Sequence, residues 1–242
     1  MVNILYVIWS LGLGGAEQVV ISLARGLDKN RFRPFIACLN DEGRFAQELK
    51  KEGIEVFSLN KIRGIDLSVV PKLVKIIREN DINIVHTHLW GANFWGRFAA
   101  KSIGVPVIAT EHGIQEYRGW LHFFVDRWLS RYTGKIIFVC NYVRENYWRK
   151  ISVSYDRTMV IYNGINCEWR RASGEWRENL KKELGIEEDE RVIAVIGRLS
   201  PEKGHAFFFE ALAKSDLAAK VLIIGDGPEK NRLELEVASY GI

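Results

Sequence analysis

The chain has 242 residues, of which 48% are hydrophobic and 26% charged, the balance of an ordinary soluble globular protein with room for one large domain or two smaller ones. No stretch approaches the roughly 20 apolar residues of a membrane span, and the three cysteines, Cys38, Cys140 and Cys167, are odd in number and lack metal-ligand spacing, which argues against a disulfide framework and fits a reducing, cytoplasmic setting. The net charge of +4 is uneven: residues 1–165 carry 22 Lys+Arg against 15 Asp+Glu, whereas residues 166–242 carry 12 against 15, so the first part is expected to meet an anionic partner or surface.

The apolar run Ile4 to Trp9 has no basic segment before it and is too short for a signal peptide, so Asn3 to Ile8 reads as a first strand. A glycine-rich loop, Ser10 to Gly15, leads into a helix over Ala16 to Leu27, whose Val19, Val20, Leu23, Ala24 and Leu27 recur at helical spacing. Strands at Arg33–Leu39, Glu55–Leu59, Asn83–His86, Val105–Thr110, Lys135–Cys140 and Thr158–Tyr162 then alternate with helices at Phe45–Lys51, Leu67–Arg78, Ala92–Ser102, Trp120–Tyr132 and Tyr142–Lys150. Such alternation with short connections predicts an α/β fold with a mostly parallel sheet covered by helices on both faces. Residues 166–190 break the rhythm and read as a linker. Domains are therefore expected at 1–165 and 191–242, the second built on strands at Val192–Ile196 and Lys220–Ile224 and helices at Gly204–Ala213 and from Pro228 to about Ser239. Two strands and two helices make a marginal core, so the second domain is expected to be incomplete and the chain to be truncated.

The polar residues that stand out fall at carboxyl ends of predicted strands, where open α/β sheets bind ligands. In VIAVIGRLSPEKG, Gly197 turns the chain out of a strand, Arg198 and Lys203 flank the turn, and a helix begins at Gly204. Two cations beside a helix N-terminus suit a phosphate or diphosphate; a solvated turn with two surface cations is the other reading. Gly14 and Gly15 leave bare backbone at a helix N-terminus, for a phosphate or sugar or simply for a tight turn. His86 and His88 follow one strand and point the same way, Glu111 and His112 follow another, Asn163-Gly164 a third, and Asp226 stands between two glycines after a fourth. With no third ligand at a recognisable spacing, a metal site is not expected. Trp120, Phe123, Phe124 and Trp128 form an aromatic stripe, read first as core packing and second as a membrane-facing surface.

Taken together, GGAE (Gly14 to Glu17), HTH (His86 to His88), TEHG (Thr110 to Gly113), NGI (Asn163 to Ile165), GRLSPEKG (Gly197 to Gly204) and GDGPE (Gly225 to Glu229) resemble glycosyltransferase family 4, of the GT-B fold, in the family's order and over nearly the whole chain. The resemblance implies two Rossmann-like domains and a retaining hexosyltransferase. Its donor would be a UDP- or GDP-linked sugar, with no obligatory metal or other cofactor. Its acceptor would be a glycan or a lipid-linked glycan, and an anionic membrane surface, but not nucleic acid, is a further expected partner. Arg198 and Lys203 look like the diphosphate clamp and His112 like the histidine beside the reacting sugar. Gly15, Asn163, Gly197, Gly225 and Asp226 complete the expected donor side, and Gly14, Glu17 and His88 the acceptor side. Tyr162 and Asn166 stand where the family usually has Pro and Asp, and Cys140 where serine is common. The family's Glu-x7-Glu motif lies beyond the GDGP turn; Glu202 and Glu210 have the spacing but flank the phosphate turn, and are not that motif. A nucleotide-sugar epimerase of the same fold and a non-catalytic sugar-nucleotide-binding fragment stay open as alternatives.

Overall fold

The structure, a computed structural model, describes residues 1–113, 119–165, 167 and 174–240, and divides into two units, Met1–Ile165 and Asn166–Ile242. The first unit runs β1 (Val2–Ile8), α1 (Gly15–Gly26), β2 (Phe32–Cys38), α2 (Ala46–Lys51), β3 (Glu55–Ser58), α3 (Val69–Glu79), β4 (Ile84–His88), α4 (Trp90–Ser102), β5 (Val107–Glu111), α5 (Trp120–Ser130), β6 (Lys135–Phe138), α6 (Asn141–Ile151) and β7 (Thr158–Val160). All seven strands are parallel, in the order β3-β2-β1-β4-β5-β6-β7. The order reverses between β1 and β4, so the connections leaving these two strands diverge and open a crevice at their carboxyl ends.

The period of two along each strand sorts its side chains between two cores. Leu5 and Val7 of β1 join Phe35, Ala37 and Val85 under α3 and α4, against Leu73, Ile77, Trp95 and Ala99. Tyr6 and Ile8 face the other way, with Ile36, Cys38 and Val56, onto Val20, Ile21 and Ala24 of α1 and Leu49 of α2. Burial on both faces explains why these strands read as near-continuous apolar runs. A third cluster packs Ile136 and Phe138 of β6 on Val143, Tyr147 and Ile151 of α6.

The second unit holds α7 (Gly174–Glu183), β8 (Val192–Ile196), a 3-10 turn (Pro201–Lys203), α8 (His205–Ala213), β9 (Lys220–Ile224) and α9 (Lys230–Tyr240) among the described residues. β8 and β9 pair in parallel, and the buried cluster is small: Leu199, Phe209 and Leu233. Residues 166–190, read as a linker, contain α7; Asn166 and the stretch 168–173 lie outside the described residues.

Two expectations are corrected. The aromatic stripe of α5 is core only in part: Phe123 packs on the third cluster and Trp128 is half-buried. The helix buries Asp126, Leu129 and Ser130 instead, while Trp120 is 80% and Phe124 64% exposed. Helical spacing locates a face but not the side the protein covers, and Asp126 is drawn inward by a charge on α4. β4 also extends to His88 and β5 to Glu111, so His88 and Glu111 lie within strands rather than after them.

Candidate active site

The first cluster of candidate residues is built by β1, β4 and β5. His86 and His88 sit two residues apart on one face of β4, with ring centroids 4.3 Å apart, and Tyr6 of the neighbouring β1 lies 5.5 and 6.0 Å from them. His86 Nε2 is 2.8 Å from Thr110 Oγ1, and His88 Nδ1 is 3.0 Å from His112 Nε2. His112 follows β5 directly, so its link to His88 bridges the ends of two adjacent strands. Burial pushes the His86 pKa down to about 4, helped by the charge His112 would carry, and burial brings His112 to about 4. His88, fully buried, is held well below the ordinary histidine range by the same desolvation. At neutral pH the trio is therefore uncharged. In the His88–His112 hydrogen bond one nitrogen donates and the other accepts, which fixes how the His112 ring is turned.

Beneath this trio lies a buried polar chain that sequence reasoning missed. Thr87 points to the opposite face of β4 and donates to Asn93 Oδ1 at 2.6 Å. Asn93 Nδ2 donates to Glu111 Oε1 at 2.7 Å, and the Arg97 Nε donates to the Asn93 carbonyl at 2.8 Å. Arg97 then forms an ion pair with Asp126 of α5, both side chains 1% exposed. Desolvation alone would lower the Arg97 pKa, but the facing carboxylate outweighs it and the guanidinium is raised above its ordinary value. The backbone joins the same knot. Leu89, between β4 and α4, adopts φ 69°, unusual for a branched residue, and is held there by Leu89 N to Thr110 O and by Asn93 N to Leu89 O at 2.7 Å. The signal available in the sequence was a polar pair, Asn93 and Arg97, one turn apart among Ala92, Gly96 and Ala100.

The glycine loop after β1 is braced from below, with Leu11 N donating to Glu42 O and Phe45 N to Leu11 O. Gly14 caps α1, and the Glu17 carboxylate folds back so that a side chain at residue 14 would collide with it, the Oε2 lying 2.2 Å from the Cβ position. Nothing lies within 4 Å of where a Gly15 side chain would go, so its backbone faces open space. Gly14, Gly15 and Glu17 leave β1, and His88 and His112 close β4 and β5. Five candidates thus share the carboxyl ends of three neighbouring strands, on either side of the reversal. Asn163, exposed beyond the edge strand β7, leaves a strand two positions from β5 and joins none of these contacts.

The second cluster belongs to the second unit. Gly197 ends β8, its N–H donating to Ile224 O, and no atom fills the place of its missing side chain. Arg198 and Lys203 are exposed, without a carboxylate partner among the described residues, on either side of the turn. Ser200 N donates to Arg198 O and Lys203 N to Ser200 O, while the Ser200 hydroxyl donates to Glu202 Oε1 at 2.6 Å. That hydrogen bond, with smaller contributions from Arg198 and Lys203, keeps the Glu202 carboxyl below its ordinary range. Gly204, at φ 69°, turns the chain into α8. The GDGPE loop is tied to this turn by Leu199 N to Asp226 O and Glu229 N to Leu199 O, and the Asp226 carboxylate accepts from Gly227 N at 2.9 Å.

Gly225 is glycine for a steric reason, since a Cβ there would stand 1.9 Å from the Gly197 carbonyl oxygen. Gly225→Ala is accordingly expected to force the two loops apart and to destabilise the second unit by about 1–3 kcal/mol. Faster proteolysis of the segment from α7 onward, with the first unit untouched, is the readout. Among the described residues no cluster of three His, Cys, Asp or Glu could hold a metal ion.

Comparison with known proteins gives the arrangement its context. Anabaena HepE, in complex with UDP and glucose, superposes with a TM-score of 0.84 at 22% identity over 100% of this chain and 67% of that one. A glycosyltransferase from Rickettsia africae matches with a TM-score of 0.81 at 20% identity over 99% of this chain and 65% of its own. The fold is therefore that of the GT-B glycosyltransferases. EpsF of Bacillus subtilis, which carries a glycosyltransferase name, is 25% identical over 99% of this chain and 66% of its own length. An Escherichia coli enzyme named UDP-Gal:alpha-D-GlcNAc-diphosphoundecaprenol alpha-1,3-galactosyltransferase is 28% identical over 70% of this chain and 47% of its own length. The chain thus spans two thirds or less of these relatives. Residues 177–242 match the pattern of the glycosyl transferases group 1, and residues 13–169, well over half of the chain, match that of Glycosyltransferase Family 4. By that match the chain belongs to glycosyltransferase family 4.

Proposed function

We propose that the protein transfers a hexosyl group from a UDP- or GDP-linked donor to a glycan or lipid-linked acceptor, with retention of configuration and without an obligatory metal or other cofactor, in the cytoplasm and in contact with a membrane surface. The observation that carries this reading is the pair of exposed cations, Arg198 and Lys203, with no carboxylate partner among the described residues, at the carboxyl end of β8 beside the start of α8. The HepE complexes with UDP and with UDP-glucose support a nucleotide donor. The name of the E. coli relative supports a lipid-linked acceptor. On this reading, cleavage at the anomeric carbon leaves negative charge on the departing diphosphate. Arg198 and Lys203 neutralise it, and the open backbone at Gly197 lets the phosphates approach. The neutral His112, turned by His88, holds a hydroxyl of the reacting sugar. Gly15 presents bare backbone, Asn163, Gly225 and Asp226 complete the donor side, and Gly14, Glu17 and His88 belong to the acceptor side. The acceptor hydroxyl attacks from the face the diphosphate leaves, and its proton passes to the departing diphosphate oxygen.

Each cation makes a charge-assisted contact worth about 1.5–3 kcal/mol. Lys203→Ala is therefore expected to weaken nucleoside diphosphate binding about tenfold to a hundredfold, and Arg198→Ala at least as much, because a guanidinium holds two oxygens at once. Binding of the bare nucleoside should hardly change. Calorimetric titration with both ligands is the measurement. Unchanged diphosphate affinity would remove the clamp, and equal losses for both ligands would point to a general structural defect.

A further inference from the structure

One face of α5 is left over by this function. Trp120, Leu121 and Phe124 are 80%, 56% and 64% exposed, and Arg127 and Arg131, at i+7 and i+11 from Trp120, continue the stripe of Trp120 and Phe124. Apolar side chains thus occupy the first half of a helix about 16 Å long, and cations lie at and just past its end. That end opens on a cavity of about 420 Å³ lined by Arg127, Arg131, Arg157, Ser152, Ser154 and Asp156. Arg157 is anchored there by Nη1 donating to the Ser130 and Arg131 carbonyls, at 3.3 and 3.0 Å, and Ser154 donates to the Asp156 carboxylate, so Arg127 and Arg131 are the cations of this groove left without a side-chain partner among the described residues. Aromatic rings with cations laid over them flank the stripe. Lys101 lies 4.5 and 4.2 Å from the centroids of Trp128 and Tyr132, and Lys150 is 5.0 Å from that of Phe123. Residues 119–157 hold seven Lys+Arg against three Asp+Glu, and one of the three, Asp126, is already neutralised by Arg97.

We infer that this face of the first unit docks on an anionic lipid bilayer, Trp120, Leu121 and Phe124 entering the interface and the Arg127–Arg131–Arg157 groove receiving a lipid phosphate. The inference rests on the proposed membrane contact and assigns it a surface. Charge complementarity selects the occupant, because an apolar edge running into a cationic groove matches an acyl region beside phosphates. Lysines over aromatic rings are arranged to lay apolar stems on the interface and keep their charge in water.

The test is co-sedimentation of the chain with phosphatidylcholine vesicles, with and without phosphatidylglycerol, at low ionic strength, together with calorimetric titration of UDP. Binding to the anionic vesicles only is expected. It should fall about fivefold for Arg127→Gln and about thirtyfold for Arg127→Gln with Arg131→Gln, and be lost in Trp120→Ser with Phe124→Ser although the groove is intact. UDP affinity should stay at the parent value in all of these, so that a failed surface and a failed donor site are told apart. Equal binding to neutral vesicles, binding unmoved by the arginine changes, or abolition by millimolar inorganic phosphate at constant ionic strength would each overturn the assignment, the last because the groove would then serve a free phosphate.

Discussion

Asp126→Ala is expected to cost the first unit about 3–5 kcal/mol, the range for removing one partner of a buried ion pair. Arg97 and Asp126 are both 1% exposed, so alanine leaves a guanidinium in the core without its ion-pair partner. Typical domains are stable by only about 5–15 kcal/mol, so the loss is a large share of the total. It also travels. Arg97 holds the Asn93 carbonyl, Asn93 holds Glu111, and Glu111 precedes His112, so loosening the pair frees the end of β5. The double variant Arg97→Met, Asp126→Leu should recover most of the stability, since apolar replacement of a buried pair is often neutral or better. Because two units unfold, a single transition is not assumed, and hydrogen exchange of the β4 and β5 amides in urea is the measurement. Equal destabilisation of the single and double variants would show that the pair is not the cause.

Acid is the second strong lever. His86 and His112 are held at about 4 and His88 lower still, against an ordinary value of about 6.5. As the pH falls from about 6.5 toward 4, the unfolded chain takes up protons that the folded chain refuses, and each such proton favours unfolding. As far as these histidines decide it, the stability of the first unit should therefore be flat between about pH 7 and 8 and fall steadily below 6.5, by on the order of a few kcal/mol for each of His86 and His112 by the time both titrate. Urea midpoints measured for the first unit between pH 5 and 8 test this, and His86→Gln should reduce the slope by about one proton. A profile as steep in the variant as in the parent would remove His86 from the account. The same physics bears on the site, where an uncharged His112 can donate or accept a hydrogen bond but brings no positive charge to a sugar.

Much of this protein was legible in the sequence. The alternation of β-branched runs with helical periods predicts every strand and helix named above to within a few residues apart from α7, which falls in the stretch read as a linker, because strands buried on both faces and amphipathic helices carry local signatures. The positions of Gly15, Gly197, Arg198, Lys203, Gly225 and Asp226 at strand ends were equally local, each a turn residue next to an apolar run. Tertiary structure decided what depends on neighbours distant along the chain. Only strand order places Tyr6 and His112 around His86 and His88, because β1, β4 and β5 become adjacent through crossovers that leave no local mark. Only packing turns Asn93, Arg97 and Asp126 inward, and in doing so it turns Trp120 and Phe124 out. A helix with aromatics on one stripe and an aspartate on another looks, in isolation, as though the aromatics should be buried. The choice was reversed by a guanidinium on the next helix, which makes burial of the carboxylate favourable only once the two helices meet.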